Sequence, residues 1–249
     1  MDMRKTLQRL SRGFVLKRRL PKQFGGAQIL VSPDASLRYW KPTLENIDPR
    51  LFDSIKELVR LGDVVWDIGA NVGLFSFTAA HVAGPTGRVL AIEPDSFLSS
   101  LLHRSAASLP GTYAPVDVLA VAVSDRVGVA KLNIAGGGRA GNSLGLGSSQ
   151  MGGIRGAQST LCITLDWLLE SFPPPAVVKI DVEGLELPVL RGAMELLTKI
   201  RPRIHCEMSN NDAFDLLASL GYAMFDAEEP IDSRIRLERY AFNTIAFPI

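Results

Sequence analysis

Apolar positions along this chain fall into short blocks of two alternating periods. Val64-Val65-Trp66 is a run without a polar break, and Leu74, Phe75, Phe77 and Ala79 follow it at helical spacing. The pattern then repeats. Runs at 88–93, 116–123, 176–181 and 203–208 predict strands, and stretches near 73–83, 95–108, 185–199 and 211–220 predict helices. Strands that are apolar on both faces and alternate with helices form a mostly parallel sheet covered on both sides. Two last strand-like runs, 222–226 and 237–247, predict a closing antiparallel hairpin.

The flanks are read the same way. Pro49–Leu61 is helical by pattern, and a helix near 164–171 precedes Pro173-Pro174-Pro175. Gln28–Val31 and Leu37–Tyr39 alternate around Ser32-Pro33-Asp34, which predicts a hairpin, and a second short hairpin is predicted through Val129–Ile134. Met3, Leu7, Leu10 and Phe14 share a helical face that Gly13 weakens. There is no internal repeat. The expected organisation is a basic arm and hairpin over residues 1–50, followed by one α/β domain over residues 51–249.

Composition changes this picture in three places. At 47% hydrophobic and 21% charged, 249 residues suffice for one domain with a well-buried core. The formal net charge of +1 is uneven: residues 1–22 carry eight Lys/Arg against Asp2, a local +7, which leaves −6 for the rest. Such an arm packs on the domain with its charges solvated, or meets an anionic membrane surface or acidic partner. Residues 136–156 hold nine glycines, a composition suited either to an unstructured insertion or to a lid that orders on ligands. Cys162 and Cys206 form neither a disulfide framework nor a metal spacing, and no signal-peptide core or membrane-length apolar run is present. The expectation is a cytoplasmic protein with no metal.

The candidate chemistry begins where the first strand ends, at Asp67-Ile-Gly-Ala-Asn-Val-Gly73. A glycine turn between strand and helix brings backbone close to a nucleotide-like ligand. Dinucleotide binding asks for G-x-G-x-x-G, but Asn71 and Leu74 stand where the second and third glycines belong. No Gly-Lys-Ser/Thr of a phosphate loop is present either. Glu93 ends the next strand, 20 residues past Gly73, where a carboxylate accepts hydrogen bonds from ribose hydroxyls. An acid–x–Gly–x–x–x–Gly turn with an acid at the next strand end suits a nucleoside without phosphates, and S-adenosylmethionine fits.

From here the chain resembles the FkbM family of class I S-adenosylmethionine-dependent methyltransferases. The likeness is carried by Asp67–Gly73, Glu93-Pro94-Asp95, Ala122-Val-Ser-Asp125, Thr164–Leu169, Val178-Lys-Ile-Asp-Val-Glu-Gly184 and Val189-Leu-Arg-Gly192, and it covers roughly residues 60–210. It implies a Rossmann-like α/β fold with a mostly parallel seven-stranded sheet, a C-terminal antiparallel hairpin and helices on both faces. It also implies a cofactor loop of Asp67, Gly69, Ala70, Asn71 and Gly73. Glu93 would hold the ribose, Pro94 and Asp95 would shape the adenosine pocket, and Ala122, Val123 and Ser124 would lie near the adenine. Asp181 and Glu183 end the fourth strand beside the expected methyl group, and Asp181 also serves as a candidate ligand of the methionine end.

Structural readings stand beside these. Glu183 suits a helix cap, Asp166 a capping position and Lys179 a half-buried pair. Period two puts His205 and Glu207 on one face of the fifth strand, where Glu207 is a candidate base and His205 reads as structural. His81 and His103 read as structural or surface residues. The expected activity is O-methylation of a hydroxyl on a small molecule, secondary metabolite or sugar. The alternatives are a nucleic-acid methyltransferase, disfavoured by the acidic body and the lack of an Asn/Asp-Pro-Pro-Tyr/Phe motif; an oxidoreductase, disfavoured by the glycine spacing; and a non-catalytic S-adenosylmethionine-binding protein.

Overall fold

The computed structural model describes residue 7, residues 9–145 and residues 153–249. Thirteen strands follow one another. The first seven are β1 (Leu16–Arg19), β2 (Gln28–Val31), β3 (Val64–Ile68), β4 (Arg88–Ile92), β5 (Val116–Leu119), β6 (Ala122–Val123) and β7 (Gly128–Ala135). Then come β8 (Ser143–Leu144), β9 (Ile154–Ile163), β10 (Val177–Ile180), β11 (Arg203–Glu207), β12 (Tyr222–Asp226) and β13 (Asn243–Pro248). Seven of them form the main sheet in the order β12-β13-β11-β10-β3-β4-β5, in which only β13 runs against its neighbours. This is the mostly parallel sheet with a closing antiparallel hairpin that the sequence predicts.

Alternation along each strand feeds two cores. Val65, Val89 and Val177 face the helices Pro49–Leu58, Leu74–Ala83 and Ser96–Ala106. Trp66, Leu90, Val178 and Ile204 face the helices Leu165–Leu168, Glu186–Arg191 and Asn211–Ser219 on the other side. After β3 the chain turns outward to β4 and β5, and later returns to β3's other edge as β10 and β11. The strand order therefore reverses between β3 and β10, and such a switch point opens a crevice beyond the strands' carboxyl ends.

Four expectations need correcting. Gln28–Val31 does not pair with Leu37–Tyr39. It pairs antiparallel with β1, Leu16 opposite Val31, while Leu37–Trp40 is a 3₁₀ turn that Ser36 caps by accepting from the Arg38 N–H. The run Lys17-Arg18-Arg19 hid β1, whose half-buried and exposed residues alternate in the pleat. The run 116–123 divides into β5 in the main sheet and β6 in a second, four-stranded sheet, order β6-β9-β7-β8. In that sheet β7 pairs along its length with β9 and, at Leu132 and Asn133, with the nearby β8; β9 goes unread because Gln158 and Thr160 lie on its inward side while Ile154 and Leu161 are exposed. The helix near 185–199 breaks at Gly192, which lies against the Ser124 carbonyl, and resumes as a π turn at Leu196–Ile200. Leu20, Phe24, Ile29, Val31 and Leu44 share a core with Val65 and Phe77, so residues 16–47 pack into the same body as the sheet.

Candidate functional site

Register across the three central strands aligns the site in two rows. Asp67 of β3, Lys179 of β10 and His205 of β11 lie abreast. Two residues onward, at the strand ends, stand Gly69, Asp181 and Glu207. Lys179 is buried and pairs with one acid of neighbouring β3 and one at the end of its own strand. Its Nζ lies 3.3 Å from Asp67 Oδ1 and 3.0 Å from Asp181 Oδ2, and it donates to the Gly69 carbonyl at 2.9 Å. Asp67, fully buried, also accepts from the Ser76 hydroxyl of the following helix at 2.5 Å. Asp67 and Lys179 thus form the site's floor, and only Asp181 of this trio reaches toward solvent.

The two glycines of the first turn are required by protein neighbours. Gly69 has φ +79°, and a Cβ there would strike the Asp181 carbonyl; Gly73 has φ +87°, and a Cβ there would strike Phe77 and Leu102. Between them Asn71 takes the left-handed conformation at φ 54°. The turn's own N–H groups are largely committed. Gly69 and Ala70 donate to the Ile92 carbonyl, both at 2.9 Å, and Asn71 donates to Glu93 Oε2 at 2.8 Å. Glu93 accepts from the Asp95 N–H as well, at 2.9 Å through Oε1. A buried carboxylate is thereby fixed on the wall of the crevice, with lone pairs left for further donors. Asn71 Oδ1 is buried and, among the described residues, has no hydrogen-bond partner.

The crevice is a cavity of about 410 Å³, within the range of ligand sites. Glu93, Ala122 and Val123 stand at one end, and Asp181, Glu183, Glu207 and Phe242 at the other. One side is closed by the first part of the glycine-rich segment. Arg139 bonds Asp34 at 2.8 Å through Nε and Asp95 through Nη1, and stacks 4.6 Å above the Phe97 ring. Arg155 reaches the same Asp34 oxygen at 2.7 Å, and Asn142 donates to Asp95 at 2.7 Å. Asp95 also caps the helix Ser96–Ala106, accepting from the Phe97 and Leu98 N–H groups. Of the 136–156 run, the described residues at 136–145 are therefore strapped to the body; 146–152 lie outside the described residues.

Electrostatics separate the two ends. Burial, before all else, lifts the Glu93 carboxyl to about 7, against the pull of the two N–H groups it accepts from. Glu207 is pushed up to about 8, first by burial and then by the neighbouring Asp181 charge. Burial followed by Lys179 lowers His205 to about 4, so its imidazole is neutral at pH 7; it stacks on Phe75, with its Nδ1 unpartnered among the described residues. Lys179 is held charged against its burial by Asp181 and Asp67. Glu183 is raised to about 7 by burial and by Asp181, and sits at φ 52°. It caps nothing: the next helix begins at Glu186 without a side-chain cap.

Not every predicted residue lines the cavity. Gly69, Ala70, Asn71, Glu93, Pro94, Ala122, Val123, Asp181, Glu183 and Glu207 do. Asp67 lies beneath it, Gly73 packs on Phe77 and Leu102, and Asp95 acts from behind through Arg139 and Asn142. Ser124 donates its N–H to Ile163 and points away. Asp166 takes the Glu195 and Leu196 N–H groups, a structural role. Unforeseen wall residues are Ser36, Arg38, Tyr39, Arg139, Asn142 and Phe242. Tyr39 and Phe242 fall in runs read as strand, and Ser36, Arg38, Arg139 and Asn142 carry no pattern that marks them. Among the described residues no cluster of His, Cys, Asp or Glu is arranged to hold a metal ion.

The strand order that reverses between β3 and β10, the acids Asp67 and Glu93 at the ends of β3 and β4, and the crevice beyond those ends are the features of a class I methyltransferase fold. The chain belongs to the methyltransferase FkbM domain family, whose sequence profile matches residues 67–230. It is 30% identical over 161 residues to the hexuronic acid methyltransferase AglP of Haloferax volcanii, a match that covers 63% of this chain and 62% of that protein. Among solved structures, a methyltransferase FkbM from Methylobacillus flagellatus KT aligns with TM-score 0.47 and 14% identity over 79% of this chain and 50% of that one. A SAM-dependent O-methyltransferase from Thermotoga maritima aligns with TM-score 0.44 and 12% identity over 81% and 65%.

Proposed function

We propose that this protein transfers a methyl group from S-adenosylmethionine to a hydroxyl oxygen of a small molecule or sugar. The observation that carries the reading is the cavity's polarity. A buried carboxylate, Glu93, is fixed by two backbone N–H groups at one end, and a proton-sharing carboxylate pair, Asp181 and Glu207, stands at the other. The residues present fit the cofactor. Glu93 takes ribose hydroxyls, the unpartnered Asn71 Oδ1 takes a donor from the methionine end, and Val121, Ala122, Val123 and Leu132 offer apolar surface to the adenine.

S-adenosylmethionine supplies, when bound, a methyl group already activated on a cationic sulfur. The protein's own residues do the rest. Lys179 holds Asp181 at the strand end and keeps Asp67 paired beneath it. Phe75 and Phe242 keep water from the acceptor end. Holding two reactants in line contributes up to about 7–11 kcal/mol of barrier reduction. Glu207, once ionised, takes the acceptor hydroxyl's proton, a contribution of typically ~10²–10⁴-fold. Burial and the Asp181 charge outweigh the pull of Lys179 and make the carboxylate basic.

A sugar-type acceptor is supported by the relative named for a hexuronic acid and by carboxylates and an aromatic ring at the acceptor end. The test is methyl transfer from labelled S-adenosylmethionine to a panel of hydroxylated sugars and metabolites, with Glu207→Gln beside the unaltered chain. Label in an ether product, lost in the variant, is the expected result. Label only in esters, or transfer unaffected by the substitution, would overturn the hydroxyl reading.

A further inference from the structure

Away from the cavity, one surface inverts the usual rule of burial. Ser11 is fully buried, its hydroxyl donating to the Leu7 carbonyl at 2.7 Å and accepting from the Trp40 indole N–H at 3.2 Å. The apolar residues of the same turn face outward: Leu10 is 62% exposed and Phe14 52%. The Phe14 ring lies 5.8 Å from that of Trp40, itself 40% exposed, which joins this turn to the 3₁₀ turn Leu37–Trp40 in one patch.

The same segments carry Arg9, Arg12, Lys17 and Lys41, all exposed. Arg18 anchors the two segments by donating to the Lys41 carbonyl at 2.7 Å. Among the described residues none of these cations has an acidic partner. An exposed apolar patch with a polar rim marks an interaction surface. A rim of unpaired cations around Leu, Phe and Trp matches the chemistry of a bilayer interface, where aromatic rings sit at headgroup level and Lys/Arg meet anionic lipid. A second copy is a poorer match, because two such rims repel.

We propose that this face docks on an anionic membrane surface, with Leu10, Phe14 and Trp40 seated among the headgroups and the surrounding cations against lipid phosphates. The body, at −6 beyond residue 22, faces away from the bilayer. Ser36, Arg38 and Tyr39 line the cavity and run directly into Trp40, so one wall of the cavity lies beside the membrane.

The test is flotation of the full chain with vesicles of phosphatidylcholine alone and of phosphatidylcholine enriched in phosphatidylglycerol. Binding to the anionic vesicles only, weakening as salt is raised, is expected. Leu10→Glu with Phe14→Glu should lower that binding at least about tenfold, with melting temperature and S-adenosylmethionine affinity unchanged. In a Trp167→Phe background, Trp40 emission should shift to the blue on vesicles. The proposal is overturned if the unaltered chain ignores anionic vesicles or binds neutral ones equally well. It also fails if the double variant floats undiminished, or if that variant instead dissolves a dimer formed by the unaltered chain.

Discussion

Glu207 is the residue whose chemistry depends most on its surroundings. Burial and Asp181 raise it to about 8, so at neutral pH most copies hold a proton, and the basic form accumulates as pH rises. The expected profile of kcat/KM therefore climbs through about pH 8 and levels above it. Glu207→Gln should abolish that limb and cut kcat by ~10²–10⁴-fold, and a pH–rate series on both proteins checks it. A limb that survives the substitution assigns the proton transfer elsewhere. Lys179 sits at the opposite extreme of accessibility. Removing it leaves Asp67 buried and uncompensated, so Lys179→Ala should cost about 3–5 kcal/mol of stability, measured by denaturant unfolding. At this scale the sequence was readable wherever a strand end dictated position, as with Glu93, Asp181 and Glu207. It did not show that Asp95 acts through Arg139 and Asn142, or that Ser124 stands outside the cavity lining, because membership of a motif does not say which way a side chain turns.

Among the elements, the strap over the cavity offers the sharpest expectation. Arg139 bridges the glycine-rich segment, the turn at Asp34 and the helix cap Asp95, with Arg155 on Asp34 and Asn142 on Asp95 beside it. Arg139→Ala takes a cation from two buried carboxylates, leaving Arg155 on Asp34 and Asn142 on Asp95, and loosens a wall of the site. It should lower the melting temperature and weaken S-adenosylmethionine binding together, as calorimetry of folding and of binding would show; a change in neither would mean the strap closes nothing. Glycine-rich composition hid this element, because order here comes from the few polar side chains Arg139, Asn142 and Arg155 meeting acids more than forty positions away in sequence. The helices and central strands were legible for the opposite reason: periodicity records burial on a continuous face. β1 and β9 were not, since one strand is masked by consecutive cations and the other by polar residues on its inward side.

For the molecule as a whole, buried ionisable groups set the pH range of stability. Glu93 and Glu207 have folded values of about 7 and about 8, above the ~4.3 of an unfolded glutamate. Their contribution is complete below the unfolded value and is lost as pH rises through 7 and 8. His205, lowered to about 4, acts in reverse: its contribution is present above ~6.5 and lost as pH falls toward 4. Two carboxyls outweigh one imidazole, so the melting temperature should fall as pH rises from about 5 to about 8 and level off above it, and a thermal series across that range checks it. The sheet order was foreseeable from alternating strands and helices. Where the acceptor binds was not, because its walls come from residues 36–48, 132–144 and 242, segments whose positions only the assembled fold determines.

The central claim, that the crevice between β3 and β10 holds S-adenosylmethionine, is tested most directly by titration calorimetry. The unaltered chain should bind S-adenosylmethionine and its demethylated product and should ignore NAD(H). Glu93→Ala should weaken that binding at least about tenfold, or ~1.4 kcal/mol, while the protein remains folded. No heat of binding with either sulfur compound, or equal affinity in the variant, would contradict the account.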